Sequence, residues 1–108
     1  VYFFDVIILD INLKKFFNTN STILDEKQKL EIQKVCQFPE IIKWKLQYRA
    51  SRDGFSAKNF HDKCDGVANT LTVIKSEHGN IFGGFTEKAW RSRDEFIVDP
   101  KAFIFSLV

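Results

Sequence analysis

The sequence predicts an α+β domain in which antiparallel β-structure predominates. The first observation is the strict alternation of apolar and polar residues in KWKLQYRA (43–50), which is typical of a half-buried strand. The second is a pair of strand-like runs, TLTVIK (70–75) and NIFGGFT (80–86), whose short separation indicates an antiparallel hairpin. The third is that the helical signals are confined to two short segments, near 25–36 and 57–64.

Composition places the chain among ordinary globular domains and argues against two classes of partner. Its 108 residues suit one domain, and 44% hydrophobic with 28% charged residues is a typical balance. Twelve Phe residues supply large apolar area without a polar atom to satisfy, which favours a compact core. A net charge of +2, spread along the chain, does not predict nucleic-acid binding. No apolar run approaches the length of a membrane span, so we expect no membrane insertion.

The absence of Met, including at position 1, indicates a fragment or a processed form. Two cysteines, Cys36 and Cys64, are compatible with one disulfide. Because no signal peptide is recognisable, we expect two reduced thiols and a cytoplasmic protein.

The first residues are apolar but follow no clear period. Ile7, Leu9 and their neighbours alternate like a strand, yet Asp5 and Asp10 would lie on opposite faces of it. We therefore interpret residues 1–20, which end in the polar NTNS, as a segment or linker of unknown role that belongs to something upstream.

A helix is predicted to begin after Asp25. Gln28 stands three residues later, as a capping box requires, and Leu24 occupies the position of a hydrophobic staple. Pro39 is expected to end the helix. The predicted apolar face consists of Ile32, Val35 and Cys36.

The alternation at 43–50 predicts which side chains of that strand are buried. The inward set is Trp44, Leu46, Tyr48 and Ala50. In the hairpin, the adjacent Gly83 and Gly84 predict a bulge or the close approach of another backbone. AFIFSLV (102–108) is a further apolar strand after the Asp99-Pro100 turn.

The stretch YRASRDGFSAKNFHDKCDG concentrates residues that could carry chemistry, but most of them have a structural explanation. Asp53-Gly54 is a turn signal, Ser56 can cap the helix AKNFHDKC, and Gly66 suits the end of that helix. Its inward side chains at i, i+4 spacing are Phe60 and Cys64.

Three chemical interpretations of the same stretch compete with this one. A catalytic triad would use Ser56, His61 and Asp62, but a capping hydroxyl is engaged and no nucleophile elbow surrounds it. A metal site would use His61, Cys64 and Asp65, which is too few ligands for structural zinc. A redox thiol at Cys64 would need exposure and a lowered pKa. We therefore predict no catalytic, metal or cofactor residues, and we keep Cys64 as the alternative redox residue.

Five blocks of the chain, in order and spacing, resemble the TLDc domain. They are STILDEKQKLEI, WKLQYRASRDGFSAKNFHDKCDG, TLTVIKSEHGNIFGGFT, AW and DPKAFIFSLV. The resemblance covers residues 21–108 and stops before the second half of that domain, so it implies the N-terminal part of a TLDc domain. It implies an antiparallel β-sandwich of two sheets flanked by short helices.

The resemblance also implies a function. TLDc domains have no known enzymatic mechanism and are associated with oxidation resistance and with binding the vacuolar-type proton ATPase. The family positions tied to that binding correspond to Gly54, Ser56 and Gly83, although each of these residues also has a purely structural explanation. We therefore expect a non-catalytic interaction module without a cofactor. The alternatives are a direct thiol antioxidant that uses Cys64 or Cys36, and a truncated fragment without independent function.

Overall fold

A computed structural model describes residues 3–10, 24–38, 43–92 and 97–107. Within these ranges five strands and three helices follow one another in the order β1 (Phe3–Asp10), α1 (Glu26–Val35), β2 (Lys43–Arg49), α2 (Ala50–Asp53), α3 (Ala57–Cys64), β3 (Thr70–Lys75), β4 (Ile81–Thr86) and β5 (Phe103–Leu107).

The strands form one antiparallel sheet in the order β2-β1-β3-β4-β5. The prediction of an α+β fold that is mainly β is thus confirmed. The described residues hold a single sheet, so the second sheet of the expected sandwich is not among them.

Strand β1 lies inside the sheet, between β2 and β3. The interpretation of this run as part of something upstream is therefore wrong for Phe3–Asp10, while the boundary at residue 20 stays a prediction. Val6 and Ile7 are both fully buried, because the sheet is covered on both faces at this part of β1, with Ile7 in the α1-side cluster and Val6 in the opposite one. Asp5 is tolerated in this buried strand because its Oδ1 accepts a hydrogen bond from Arg49 Nε at 3.3 Å.

Helix α1 covers one face of the sheet, which we call the α1 face. Both capping-box bonds are present: Gln28 N–H donates to Asp25 Oδ1 at 2.7 Å, and Asp25 N–H donates to Gln28 Oε1 at 3.0 Å. Ile32 is the buried residue of α1, whereas Val35 is 65% exposed, so the prediction that Val35 faces the core is wrong. The buried residues of this face are Ile7, Leu24, Ile32, Leu71, Val73, Ile81 and Phe105.

The opposite face, which we call the α3 face, is covered at its β2–β1 side by α2 and α3. Its buried residues are Val6, Tyr48, Ala50 and Cys64, with Phe4, Phe60 and Trp90 packed against them. The helices leave the rest of this face, across β1, β3 and β4, partly exposed. The strand register places Phe4 beside Ile74, and Ile74 beside Phe82, in this exposed part.

The predicted inward face of β2 is divided between the two sides of the sheet. Trp44 and Leu46 pack into the α1 face, whereas Tyr48 packs into the α3 face. The cause is a β-bulge: Tyr48 is opposite Val6 and Leu46 is opposite Ile7, so Gln47 is the extra residue. An extra residue reverses the side to which every later side chain points, so the alternation in the sequence does not describe one face. Ala50 is buried as expected, but it opens α2 and is not part of the strand.

Candidate partner-binding site

The turn after β2 is held by a carboxylate that accepts three hydrogen bonds. Asp53 accepts from Arg49 N–H at 3.0 Å and from the Arg52 guanidinium at 2.9 and 2.8 Å. The hydrogen bond from Arg52 is the main reason why the pKa of Asp53 falls to about 2. The turn is therefore held by a carboxylate whose side chain is only 9% exposed and whose partners are Arg49 and Arg52.

Gly54, the first predicted binding residue, ends α2 with φ at +108°, a conformation that strongly favours glycine. A Cβ at this position would lie 2.4 Å from Asn59 Oδ1. The Gly54 carbonyl accepts a short hydrogen bond from the Tyr48 hydroxyl. Gly54 thus ties the turn to the core.

Ser56, the second predicted residue, is the N-cap of α3, as the sequence indicated. Its Oγ accepts from Asn59 N–H at 3.1 Å, and the Asn59 side chain accepts from Ser56 N–H at 3.3 Å. The Ser56 hydroxyl also donates a short hydrogen bond to Asn59 Oδ1. The Ser56 hydroxyl is thus paired with Asn59, whereas a nucleophilic serine needs a hydrogen bond to a general base such as His.

Gly83, the third predicted residue, lies in β4 beside the backbone of β3. A Cβ here would lie 1.8 Å from the Thr72 carbonyl oxygen and 3.1 Å from the Phe105 ring, which belongs to the α1 face. The predicted close approach of another backbone is confirmed at this residue. A side chain at Gly83 would therefore point to the α1 face, whereas Ser56 lines the groove on the α3 face. Gly54, Ser56 and Gly83 thus do not share one surface.

The chemical alternatives do not assemble around α3. His61 Nδ1 is 2.7 Å from Asp65 Oδ1, and Asp62 pairs with Lys58 at 2.8 Å, so Ser56, His61 and Asp62 have separate partners. Asp65 also accepts a hydrogen bond from Ser92 Oγ, the largest cause of its lowered pKa. These contacts join the end of α3 to the 90–92 segment. Among the residues that the structure describes, no group of three or more His, Cys, Asp or Glu is placed to hold a metal ion.

Cys64 has the environment of a packing residue. It is fully buried beside Val6 and Tyr48, and burial is the main reason why its pKa rises to about 11. Cys36 is half-buried in the α1 face, and burial raises its pKa as well. Because the sheet lies between the two thiols, neither is placed to resolve oxidation of the other.

An open apolar groove of about 620 Å³ lies on the α3 face, and no sequence pattern indicated it. Its residues come from β1, β2, the start of α2, the loop before α3, α3 itself, β3, β4 and the segment after β4, which only the fold brings together. They are Phe4, Tyr48, Ala50, Phe55, Ser56, Ala57, Phe60, Thr72, Ile74, Phe82 and Trp90. The abundance of Phe was the one feature of the sequence that could have indicated an aromatic groove. The spacing of these residues along the chain does not show that they share a surface.

The groove offers an apolar surface with few polar groups that are free to bind. Phe60 is the centre of its wall, with ring centroids 5.6 Å from Tyr48 and 5.1 Å from Trp90. The Tyr48 hydroxyl donates to Gly54, and Trp90 Nε1 donates to Thr70 Oγ1 at 2.9 Å. None of the lining residues that the structure describes is charged. An occupant would therefore be held by apolar contact, as in the core of a protein interface.

Residues 17–108 match the TLDc domain family. The chain belongs to this family. The match includes α1, the turn with Gly54 and Ser56, the β3–β4 hairpin and all of the listed groove residues except Phe4, because it starts after β1.

The curated relatives of this TLDc chain include several proteins named MTOR-associated protein MEAK7. The protein of Danio rerio is 28% identical over 64 residues, which is 59% of this chain and 14% of the relative. Those of Xenopus laevis and Gallus gallus are 28% and 29% identical over 68 residues, which is 60% of this chain and 14% of each relative. The matched region is thus a small part of these proteins. No solved structure gives a significant match, and no helix of the described residues is long and apolar enough to cross a membrane.

Proposed function

We propose that this chain is a non-catalytic, cytoplasmic protein-interaction module whose partner is the vacuolar-type proton ATPase, and that it supports oxidation resistance through this binding. Membership of the TLDc family supports the choice of partner. The names of the MEAK7 relatives also describe those proteins as associating with another protein, which supports interaction as the general role.

The observation that carries the proposal is the open apolar groove with Phe55 at its rim. Phe55 is 65% exposed, and Phe82, on the floor of the groove, is 39% exposed. Exposed aromatic residues around an uncharged depression are typical of the anchors of a protein interface. Ser56, which the family resemblance connects with ATPase binding, lies in the same lining.

Non-catalytic action is the better account of the polar residues in this region. Ser56 caps a helix, His61 is paired with Asp65, and the Cys64 thiol is buried with a raised pKa. The hydroxyl and the imidazole are thus engaged in structural contacts, and the buried thiol is disfavoured as a thiolate, so none of the three suits catalysis or thiol oxidation.

Binding of the purified chain to solubilised vacuolar-type ATPase tests the proposal. Phe55→Ala should weaken capture by roughly tenfold, the loss typical of an exposed aromatic anchor. Leu30→Ala is the matched control, because Leu30 is equally exposed at 65% but lies on α1. Absence of capture by the wild-type chain, or equal loss in both variants, would reject the proposal.

A second measurement separates binding from direct thiol chemistry. In peroxide-treated cells, a Cys36→Ser/Cys64→Ser variant should protect as well as the wild type, whereas Phe55→Ala should not. The opposite result would support the thiol antioxidant. Cellular abundance of each variant is measured alongside, because a destabilised variant would also lose protection.

A further inference from the structure

We propose that Ser92 is a phosphorylation site and that its phosphate releases the contact between α3 and Trp90, which forms one wall of the groove. Ser92 lies in the segment after β4, where residues 91 and 92 belong to neither a helix nor a strand. The inference adds regulation to the proposed interaction module. Its effect on ATPase binding rests on that proposed function, whereas its effect on the fold does not.

The described serines differ in how readily a protein kinase could use them. A kinase must bring the acceptor hydroxyl into its catalytic cleft, which favours exposed serines outside regular secondary structure. Ser51 lies in α2, Ser56 caps α3, and Ser106 belongs to β5. Ser76 accepts a hydrogen bond within the β3–β4 turn. Ser92 is exposed and belongs to none of these elements.

The charge before Ser92 indicates the class of kinase. Lys88 and Arg91 precede the serine within four residues, and both are exposed. Kinases select their substrates partly by charge pattern, so basic residues beside the acceptor suit a kinase with an acidic substrate cleft. Ser92 therefore fits a kinase that selects basic substrates.

The transfer itself needs Mg²⁺-bound ATP and the kinase. The Ser92 Oγ attacks the γ-phosphorus and forms the new O–P bond, while the bond from that phosphorus to the β–γ bridging oxygen breaks. ADP leaves with the electron pair of the broken bond, and the hydroxyl proton passes to the catalytic aspartate of the kinase.

Asp65 is the residue that this phosphate would disturb. Its Oδ2 accepts a hydrogen bond from the Ser92 hydroxyl, and its Oδ1 is 2.7 Å from His61 Nδ1. The bond from Ser92 is also the main reason why the pKa of Asp65 is lowered, so this carboxylate is charged at neutral pH. Phosphorylation removes the hydroxyl proton and places about two negative charges beside the carboxylate. Repulsion between like charges thus replaces a hydrogen bond.

A small backbone bridge transmits this change to the groove. Asp65 and Trp90 form an isolated parallel bridge, in which Gly66 N–H donates to the Trp90 carbonyl at 2.9 Å and Trp90 N–H donates to the Val67 carbonyl at 3.3 Å. The bridge holds the Trp90 ring 5.1 Å from the Phe60 ring, measured between centroids. Two backbone hydrogen bonds outside the sheet form a unit that can open without global unfolding. Phosphorylation of Ser92 therefore moves Trp90 away from Phe60.

Hydrogen exchange on the chain with phosphoserine incorporated at position 92 tests this coupling. The Gly66 and Trp90 amides should exchange roughly tenfold faster than in the unmodified chain. Unchanged exchange would overturn the proposal, and so would slower exchange, because the phosphate would then pair with His61. Phosphoserine at position 106 is the control, since it places the same charge on β5, at the opposite end of the sheet from β2, against which α3 packs. It should leave both amides unchanged.

The Asp65→Asn variant separates charge repulsion from general destabilisation. An asparagine amide can donate to the phosphate, so phosphoserine at position 92 should no longer accelerate exchange of the Gly66 and Trp90 amides in this variant. Equal acceleration with Asp65 and with Asn would overturn the proposed mechanism.

Two further measurements test whether the site is used and what it controls. Treatment of the purified chain with a panel of kinases that select basic substrates, followed by tandem mass spectrometry, should place phosphate on Ser92 and none there in Ser92→Ala. Phosphate on other residues alone, or none, would overturn the site. The chain with phosphoserine at position 92 should capture solubilised ATPase roughly tenfold less well than the unmodified chain. If the unmodified chain captures no ATPase, the proposed function fails, while the exchange experiment still decides the effect of the phosphate.

Discussion

Substitution of Gly83 by alanine should separate a structural glycine from a binding one. A Cβ at this position would lie 1.8 Å from the Thr72 carbonyl oxygen, whereas real Cβ atoms stay at least 3.0 Å from such a neighbour. Strands β3 and β4 would have to move apart locally by more than 1 Å, since 3.0 minus 1.8 is 1.2 Å. A backbone hydrogen bond of about 2.9 Å would then stretch to roughly 4 Å and be lost.

The magnitude follows from what this separation breaks. Two ladder hydrogen bonds contribute about 1 kcal/mol each, and overpacking beneath the Phe105 ring costs about 1–3 kcal/mol. We therefore expect Gly83→Ala to lower the free energy of unfolding by about 3–5 kcal/mol. A domain of ordinary stability would be left close to unfolding by such a loss.

Gly84→Ala is the matched control, because it makes the same chemical change one residue along the same strand. Its Cβ would lie 3.1 Å from the Phe103 carbonyl oxygen, which needs a shift of only a few tenths of an ångström. A cost of about 1 kcal/mol or less is expected. Urea unfolding followed by circular dichroism measures both variants. Equal costs would refute the steric argument, and a stable Gly83→Ala that fails to capture the ATPase would assign Gly83 to binding.

Three further predictions concern the packing and the pH dependence of the chain. Trp44→Ala should lower the free energy of unfolding by about 2–4 kcal/mol in urea, because Trp44 packs against the α1-face core, whereas Lys45→Ala should change it by about 0.5 kcal/mol or less; similar effects would contradict the assignment of faces. Cys64 should react with iodoacetamide far more slowly in the native than in the denatured protein, because its thiol is buried and its pKa is raised to about 11, and comparable rates would revive the redox interpretation. The carboxyl of Asp53 has a pKa lowered to about 2, so its contribution to stability is complete above about pH 4 and is lost as the pH falls toward 2. Acid unfolding of the Asp53→Asn variant should therefore lack this loss. An acid-unfolding profile identical to that of the wild type would show that the Arg52 contact does not stabilise the fold.

Signals that depend on a few neighbouring residues were predicted correctly. The capping box at Asp25 and the N-cap at Ser56 form as predicted, because the donor, the acceptor and the helix turn that joins them lie within four residues. The close approach at Gly83 was also predictable, since glycine inside a strand usually has a neighbour that excludes a side chain. The placement of the candidate site was not predictable in the same way. Ser56 and Gly83 came from one family pattern, yet they open toward different sides of the sheet.

The amino-acid sequence by itself determined the local elements of this protein: the capped helices, the hairpin, the alternating β2 segment and its membership of the TLDc family. These depend on backbone geometry and on side chains that are close in the chain. Only the tertiary structure decided that Phe3–Asp10 is an inner strand, that Gln47 bulges and reverses the faces of β2, and that an apolar groove opens on the α3 face. The physical reason is that strand order, register and burial are set by contacts between distant segments, and periodicity alone cannot specify which neighbour a strand will pair with.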